Sequence, residues 1–209
     1  MAEHSPRDFW DRRFAAAGES FVFGREPNDF LVREAGRLFP DSAVLSVADG
    51  EGRNSVFLAK AGHRVDALEF APAAAAKSRK LAAEQQVEIN LLETDVFEWV
   101  WPEETYDAVV AIFIQFAAPA QRQVLFDKMM AALKPGGLLL LQGYTPKQLE
   151  HGTGGPSAVE NLYTESVLLN AFKGHDILLL RVHESVIDEG EGHRGMSALV
   201  DVVVQRAAG

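Results

Sequence analysis

Three positions that could recognise a nucleoside each follow a short β-rich run of the sequence. Residues 49–52 read Asp-Gly-Glu-Gly after the run 43–47, Glu69 ends the next run, and Asp95 follows a third. Glycines between a strand and a helix let a ligand approach the backbone. A carboxylate at the end of the second strand can accept hydrogen bonds from both ribose hydroxyls, and Asp95 suits an adenine amino group. Together the three positions predict a bound nucleoside.

Each of these signals has a simpler explanation when it is taken alone. A glycine pair after a strand often forms only a turn, and a single Glu at a strand end is usually solvated. Asp95 is of a residue type that commonly caps the segment after it. Their order favours a ligand, because one signal follows each of three consecutive predicted strands.

The spacing of the glycines argues against a dinucleotide. The dinucleotide corner prefers Gly-x-Gly-x-x-Gly, but Ser55 stands at the third position here. Glu51 would also place a negative charge near a pyrophosphate. S-adenosylmethionine has no phosphate, and its sulfonium charge is compatible with an acidic corner. We therefore favour this cofactor, and a nicotinamide-dependent oxidoreductase is the less favoured alternative.

The elements that must position these residues alternate short β-rich runs with helical runs. This alternation of strands and helices predicts an α/β fold with a mostly parallel sheet. Two β-rich runs near the end, 177–186 and 198–204, have no helical pattern between them and predict an antiparallel hairpin. We predict the other strands at 43–47, 64–68, 88–92, 106–113 and 138–142, and helices at 7–17, 29–38, 54–61, 72–85 and 120–133.

Composition and charge exclude several classes of protein. The chain has 209 residues, 47% of them hydrophobic, and a net charge of −10, which favours one folded domain without a basic phosphate-binding surface. It has no cysteine, so disulfides and thiolate chemistry are excluded, and no metal-ligand spacing is present. The opening residues lack an apolar signal core, and the run 138–141 is too short to span a bilayer. We expect a cytoplasmic protein with no nucleic-acid or membrane partner; the sequence does not predict its oligomeric state.

Several segments resemble class I S-adenosylmethionine-dependent methyltransferases over nearly the whole chain. They are VLSVADGEGRNSVFLAKAGHRVDALE, YDAVVAIFIQF, LKPGGLLLLQGYTPKQL and the final hairpin. The opening FWDRRFAAAGESFVFGREPNDFL and the later GTGGP resemble a bacterial branch that includes tellurite-resistance-like small-molecule methyltransferases. The resemblance implies a Rossmann-like three-layer sandwich with a seven-stranded, mostly parallel sheet of order 3-2-1-4-5-7-6, strand seven antiparallel. It also implies a single domain over 1–209, with 1–40 as a helical lid and 41–209 as the core.

The resemblance implies S-adenosylmethionine as cofactor and S-adenosylhomocysteine as product. Ser46 and Ala48 depart from the family pattern, which usually has an acidic residue and a glycine there, so Asp49 is expected to take over part of the work of the acidic residue. The residues predicted to bind the cofactor are Phe23, Ala48, Asp49, Gly50, Gly52, Asn54, Glu69, Phe70, Asp95, Val96 and Ile112.

The residues around the methyl acceptor are predicted from their position at the edge of the sheet where the parallel strands end. Methyl transfer from a sulfonium needs orientation and exclusion of water more than a strong acid–base pair. The catalytic candidates at that edge are Gln115, Tyr144, His193 and Arg194. Each also has a simpler role: a loop anchor, packing, an ordinary loop histidine, and an ion pair with Asp188 or Glu191.

The sequence favours a small-molecule acceptor. The predicted fourth strand is not followed by an Asn/Asp-Pro-Pro-aromatic run, which relatives that methylate DNA bases or glutamine amides usually carry. A non-catalytic protein that binds the cofactor or its demethylated product stays open as an alternative, because Ser46 departs from the pattern and no clear base is present.

Overall fold

A seven-stranded mixed sheet forms the centre of the protein in a computed structural model that describes residues 6–208, without the side chain of Pro6. The predicted limits 1 and 209 lie outside the described residues. The strands are β1 Ala43–Ser46, β2 Arg64–Glu69, β3 Asn90–Glu93, β4 Tyr106–Ile112, β5 Leu133–Tyr144, β6 Asp176–Asp188 and β7 Arg194–Gln205. Their order is β3-β2-β1-β4-β5-β7-β6, and β7 is antiparallel to both of its neighbours. The predicted fold and strand order are confirmed.

Helices cover both faces of this sheet. They are α1 Pro6–Ala16, α2 Asp29–Glu34, α3 Arg53–Lys60, α4 Pro72–Glu84, α5 Pro119–Ala132, α6 Gln148–His151 and α7 Glu165–Ala171, with 3₁₀ turns at Ala35–Arg37 and Val159–Asn161. Apolar side chains of α2 and α3 pack on one face of the sheet, and those of α5 and α7 pack on the other. No helix within residues 6–208 is long and apolar enough to cross a membrane.

Strand β4 shows why its sequence is apolar without alternation. Val109 and Ala111 belong to the core cluster on one face, whereas Ala108 and Val110 belong to the cluster on the other. Successive side chains of a strand point to opposite faces, so a strand covered on both sides must be apolar throughout.

The structure differs from the predicted elements in three places. The predicted helix 29–38 divides into α2 and a 3₁₀ turn. Strand β5 begins at Leu133, five residues before the predicted start at 138, because Tyr106 of β4 pairs with Leu133 before the register shifts. The short helices α6 and α7 were not predicted; seven residues or fewer carry too little periodicity to be recognised.

Replacing Leu125 tests the packing of α5 on the sheet. Leu125 is buried in the core, whereas Val124 beside it is half exposed. We expect Leu125→Ala to lower the free energy of unfolding by about 2–5 kcal/mol, because it leaves a cavity in a close-packed core. The control Val124→Ala should stay within about 0.5 kcal/mol of the parent protein in urea unfolding. Equal effects of the two substitutions would contradict this packing.

Candidate functional site

A cavity of about 380 Å³ lies at the carboxyl ends of β1, β2, β3 and β4. In open α/β sheets this edge is where ligands bind. The three signals identified in the sequence meet here, since Gly50, Glu69 and Asp95 all line the cavity. The other predicted cofactor residues that line it are Phe23, Ala48, Asp49, Asn54, Phe70, Val96 and Ile112.

The two glycines of the corner have different roles. Gly50 has φ +66°, and a Cβ added there would meet only Phe14 Cζ, at 4.0 Å. The backbone at Gly50 is therefore open to a ligand. Gly52 has φ +92° and begins α3, and an added Cβ would lie 2.9 Å from Ser78 Cα. Gly52 does not line the cavity, and close packing of α3 on α4 requires this glycine, so its contact with the cofactor stays a prediction.

Asp49 is held by two serines at the end of β1. Its carboxylate accepts a 2.6 Å hydrogen bond from Ser46 Oγ and further bonds from the hydroxyl and the backbone N–H of Ser55. Burial raises the pKa of Asp49, and the serine hydroxyls oppose that rise. Ser46 stands where the family pattern usually has an acidic residue, and its hydroxyl positions the carboxylate of Asp49, three residues later in the chain.

Glu69 joins the ends of β1 and β2. Its Oε2 accepts from Gly50 N at 2.8 Å, and its Oε1 accepts from Ala71 N at 2.7 Å. Burial raises the pKa of Glu69 from 4.5 to about 7, although these backbone N–H groups favour the charged form. Asp95 accepts a 2.8 Å hydrogen bond from Phe97 N through Oδ1, so its carboxylate is oriented by its own turn.

The segment 21–28 crosses the glycine corner and is tied to it. Phe23 N donates to Glu51 Oε2 at 3.2 Å, and Lys77 Nζ pairs with Glu51 Oε1 at 2.9 Å. The same ammonium group donates to the carbonyl oxygens of Phe14 and Ser20. Glu51, considered above only as an obstacle to a pyrophosphate, is a buried anchor for this segment.

The loop between β6 and β7 closes over the same segment. Gly192 N donates to Val22 O at 3.0 Å, and a Cβ added to Gly190 would lie 2.6 Å from Val22 O, so only glycine fits there. Glu189 in this loop forms a buried 2.5 Å ion pair with Arg53 of α3 and accepts from Asn28 Nδ2 at 2.9 Å. Three segments distant in the sequence are thereby cross-linked around the cavity.

Only one of the four predicted catalytic residues lines the cavity. His193 lies in its wall, and its ring centroid is 4.5 Å from that of Phe23. Tyr144 is fully buried, and Gln115 donates to the carbonyl oxygens of Tyr144 and Asn161 as a loop anchor. Arg194 is exposed and pairs with Asp188 at 2.7 Å. Neither Gln115 nor Arg194 lines the cavity, and their catalytic roles stay predictions.

His193 is neutral in this setting. Burial, together with the positive charges of Arg53 and Arg13, lowers the pKa of His193 to about 3. A histidine with such a pKa accepts hydrogen bonds but does not carry a resident charge at neutral pH.

Sequence reasoning missed several residues of the cavity wall. Trp10, Phe14 and Arg53 line the cavity, although none of them is among the predicted site residues. The signal that would have found Arg53 is its place directly after Gly52, at the first position of α3. Trp10 and Phe14 carry no such signal, because the position of α1 depends on its packing on α4.

Comparison with known proteins agrees with this geometry. Residues 44–137 match the family described as a methyltransferase domain. A protein-L-isoaspartate O-methyltransferase of Synechococcus sp. is 32% identical over 147 residues, 68% of this chain and 57% of that protein. The chain spans little more than half the length of that relative.

Solved structures show the same fold. A structure described as "Conversion of a Disulfide Bond into a Thioacetal Group during Echinomycin Biosynthesis" has a TM-score of 0.78 at 15% identity, covering 97% of this chain and 92% of that one. TehB from Haemophilus influenzae has a TM-score of 0.71 at 18% identity, covering 94% and 67%. Identities this low show the fold alone.

The fold, the cavity and the match of residues 44–137 agree in one respect: this chain resembles the class I S-adenosylmethionine-dependent methyltransferases. S-adenosylmethionine is the cofactor of that class of enzyme. The tellurite-resistance-like branch and the division into a lid and a core stay predictions.

The raised pKa of Glu69 predicts a pH dependence of stability. Between pH 4.5 and about 7 the folded protein retains a proton on Glu69 that the unfolded chain has lost, so this group makes the free energy of unfolding fall as the pH rises. His193 acts in the opposite direction below pH 6.5, because its folded pKa is lowered. The difference between the parent protein and Glu69→Gln isolates the first effect.

We expect the free energy of unfolding of the parent protein to fall by about 3 kcal/mol relative to Glu69→Gln between pH 4.5 and 7.5. Urea unfolding at several pH values measures this difference. Parallel pH profiles of the two proteins would show that the carboxyl group does not titrate abnormally.

Proposed function

We propose that this protein transfers the methyl group of S-adenosylmethionine to a small-molecule acceptor. The observation that carries the proposal is the convergence of Gly50, Glu69 and Asp95 on one cavity at the ends of three adjacent parallel strands. These residues come from three separate signals in the sequence, and parallel pairing brings them to one edge.

The residues of the cavity fit this cofactor. The open backbone at Gly50 is a cradle that a side chain would fill. Asp49, Glu69 and Asp95 make no ion pair within the described chain, so their carboxylates suit a ligand that carries positive charge, hydroxyl groups and an amino group. We propose that Glu69 holds the ribose hydroxyls, that Asp95 holds the adenine amino group, and that Asp49 and Asn54 lie beside the methionine end.

The bound cofactor supplies a methyl group that is already activated on a sulfonium. The work left for the protein is to orient the acceptor and to exclude water. Segment 21–28 and the β6–β7 loop cover the cavity and serve to exclude water. The cavity wall has an aromatic, uncharged surface formed by Phe23, Phe113 and His193, which serves to orient the acceptor.

The same site disfavours a nicotinamide dinucleotide. A pyrophosphate at the corner would lie near Asp49 and Glu51, and Arg53, the nearest cation in the cavity wall, is paired with Glu189. Without a counter-charge, two buried phosphates would lose their hydration and gain no ion pair.

A non-catalytic binding protein is the second candidate. It is favoured by the lowered pKa of His193, which is therefore not poised as a base near neutral pH. Incubation with methyl-labelled cofactor and a panel of small acceptors distinguishes the two. Label in any acceptor supports the enzyme, whereas tight cofactor binding with no labelled acceptor supports the binding protein.

Asp95→Asn tests the cofactor assignment. The variant retains an Oδ1 atom to accept from Phe97 N, but it replaces a hydrogen-bond acceptor with an NH₂ donor. We expect S-adenosylhomocysteine to bind about tenfold more weakly in isothermal titration calorimetry, since one hydrogen bond to the ligand is lost. The control Glu98→Gln changes an exposed carboxylate in the same loop and should bind as the parent does. Unchanged affinity of Asp95→Asn would remove Asp95 from the site.

A further inference from the structure

Two adjacent side chains beside the cavity have buried polar atoms without partners. Within residues 6–208, His193 Nδ1 and Tyr144 Oη are buried and make no hydrogen bond. Their rings lie 5.7 Å apart. An unpaired buried polar group costs about 1–3 kcal/mol, so a pair of them in one place calls for an explanation. His193 is about nine-tenths buried and lines the cavity, which indicates that a ligand in the cavity can serve as its partner.

These two residues belong to a cluster of four rings, Phe23, Phe113, Tyr144 and His193, which we call the aromatic subsite. The His193 ring is 4.5 Å from Phe23 and 4.4 Å from Phe113, and Phe113 stacks on Tyr144 at 4.6 Å. Phe23, Phe113 and His193 face the cavity, and Tyr144 supports Phe113 from behind. Ring faces and edges at these spacings recognise another flat apolar group.

The backbone at Phe113 is strained where its ring enters this cluster. Phe113 has φ +55°, a left-handed conformation that is rare for a bulky residue and costs about 1–3 kcal/mol. The hydrogen bond from Phe113 N to Gln142 O, at 2.9 Å, holds it there. Strain of this kind persists where the surrounding structure enforces it, which is common in ligand-binding sites.

The charges around the aromatic subsite do not favour a charged ligand. Burial keeps His193 neutral. Arg53 is committed to its ion pair with Glu189, and Arg13 stacks on Phe23 and Trp10, with its guanidinium carbon 5.2 Å and 5.1 Å from the two rings. A cationic acceptor would find Glu189 already paired with Arg53. An anionic acceptor would find Arg53 already paired, and Arg13 does not line the cavity.

We propose that the aromatic subsite binds the methyl acceptor, and that this acceptor is an uncharged aromatic molecule whose hydroxyl or thiol group donates a hydrogen bond to the His193 imidazole. This inference rests on the proposed function and adds the chemical class of the acceptor and a contact residue for it.

Proton transfer to His193 is consistent with its low basicity. The lone pair of the acceptor heteroatom forms the new bond to the methyl carbon, while the carbon–sulfur bond breaks and its electrons stay on sulfur. The heteroatom proton passes to His193 and from there to water. A methylated hydroxyl or thiol group that still holds its proton is a far stronger acid than an imidazolium, so a weakly basic imidazole is sufficient. In the ground state the neutral ring also avoids repelling the sulfonium.

Binding of matched probes to the protein saturated with S-adenosylhomocysteine tests the proposal. The probes are p-cresol, 4-methylanisole, benzoate and benzylammonium, titrated by calorimetry or by ligand-observed NMR. We expect p-cresol to bind most tightly. 4-Methylanisole lacks the hydroxyl hydrogen and should bind about five- to tenfold more weakly. Tighter binding of either charged probe, or equal binding of p-cresol and 4-methylanisole, would overturn the proposal.

His193→Phe isolates the contact with the imidazole. The variant retains a ring in the subsite but has no nitrogen, so it should still bind both neutral probes and lose the preference for p-cresol. The exposed Arg181→Ala on β6 is the matched control and should retain the preference. A preference that survives in His193→Phe would remove His193 from acceptor recognition.

Binding of S-adenosylhomocysteine is measured first and separates the two levels of the argument. If it binds and the neutral probes do not, the acceptor class is wrong and the proposed cofactor site stands. If it does not bind at all, the proposed function fails, and this inference fails with it.

Discussion

Parallel pairing of the first four strands determines where chemistry can occur in this protein. Strand β1 pairs in parallel with both β2 and β4, and β2 pairs in parallel with β3, so the carboxyl ends of all four strands meet at one edge. Each strand delivers one part of the site there: a glycine corner, Glu69, Asp95 and Phe113. The helices that return the chain between strands must lie on the two faces, which leaves this edge open for a ligand. An antiparallel arrangement would separate these residues by the length of a strand.

Buried ion pairs, and not apolar packing alone, hold the segments that cover the carboxyl-end edge of the sheet. Glu51 with Lys77, and Glu189 with Arg53, tie segment 21–28 and the β6–β7 loop to the corner. Buried ion pairs of this kind contribute modestly to stability, because desolvation opposes their attraction, but removal of one partner leaves an uncompensated charge. They therefore specify the position of the covering segments more than they stabilise the fold. Asn28 adds a second function, since it caps α2 and also donates to Glu189 and Gln142.

The cavity is divided in chemical character between its two sides. The carboxylates of Asp49, Glu69 and Asp95, which make no ion pair within residues 6–208, lie beside the ends of β1, β2 and β3, and aromatic rings with a neutral histidine lie beside the end of β4. The first side is suited to a cationic nucleoside and the second to an uncharged flat molecule. Under the proposed function, this division places the sulfonium beside the carboxylates and the methyl acceptor beside the aromatic rings.

The sequence by itself determined the sheet, its terminal hairpin and the cofactor signals, because these depend on local patterns: apolar periodicity, the glycines of the corner, and acidic residues at strand ends. Only the tertiary structure decided which side chains share the cavity. The close packing of Gly52 on Ser78, the ion pair between Arg53 and Glu189, and the ring contacts of His193 with Phe23 and Phe113 join residues far apart in the chain. Gln115 and Arg194 carry residue types suited to catalysis, but strand register and local pairing direct them elsewhere. Distances of this kind depend on how whole elements pack, and no short stretch of sequence contains that information.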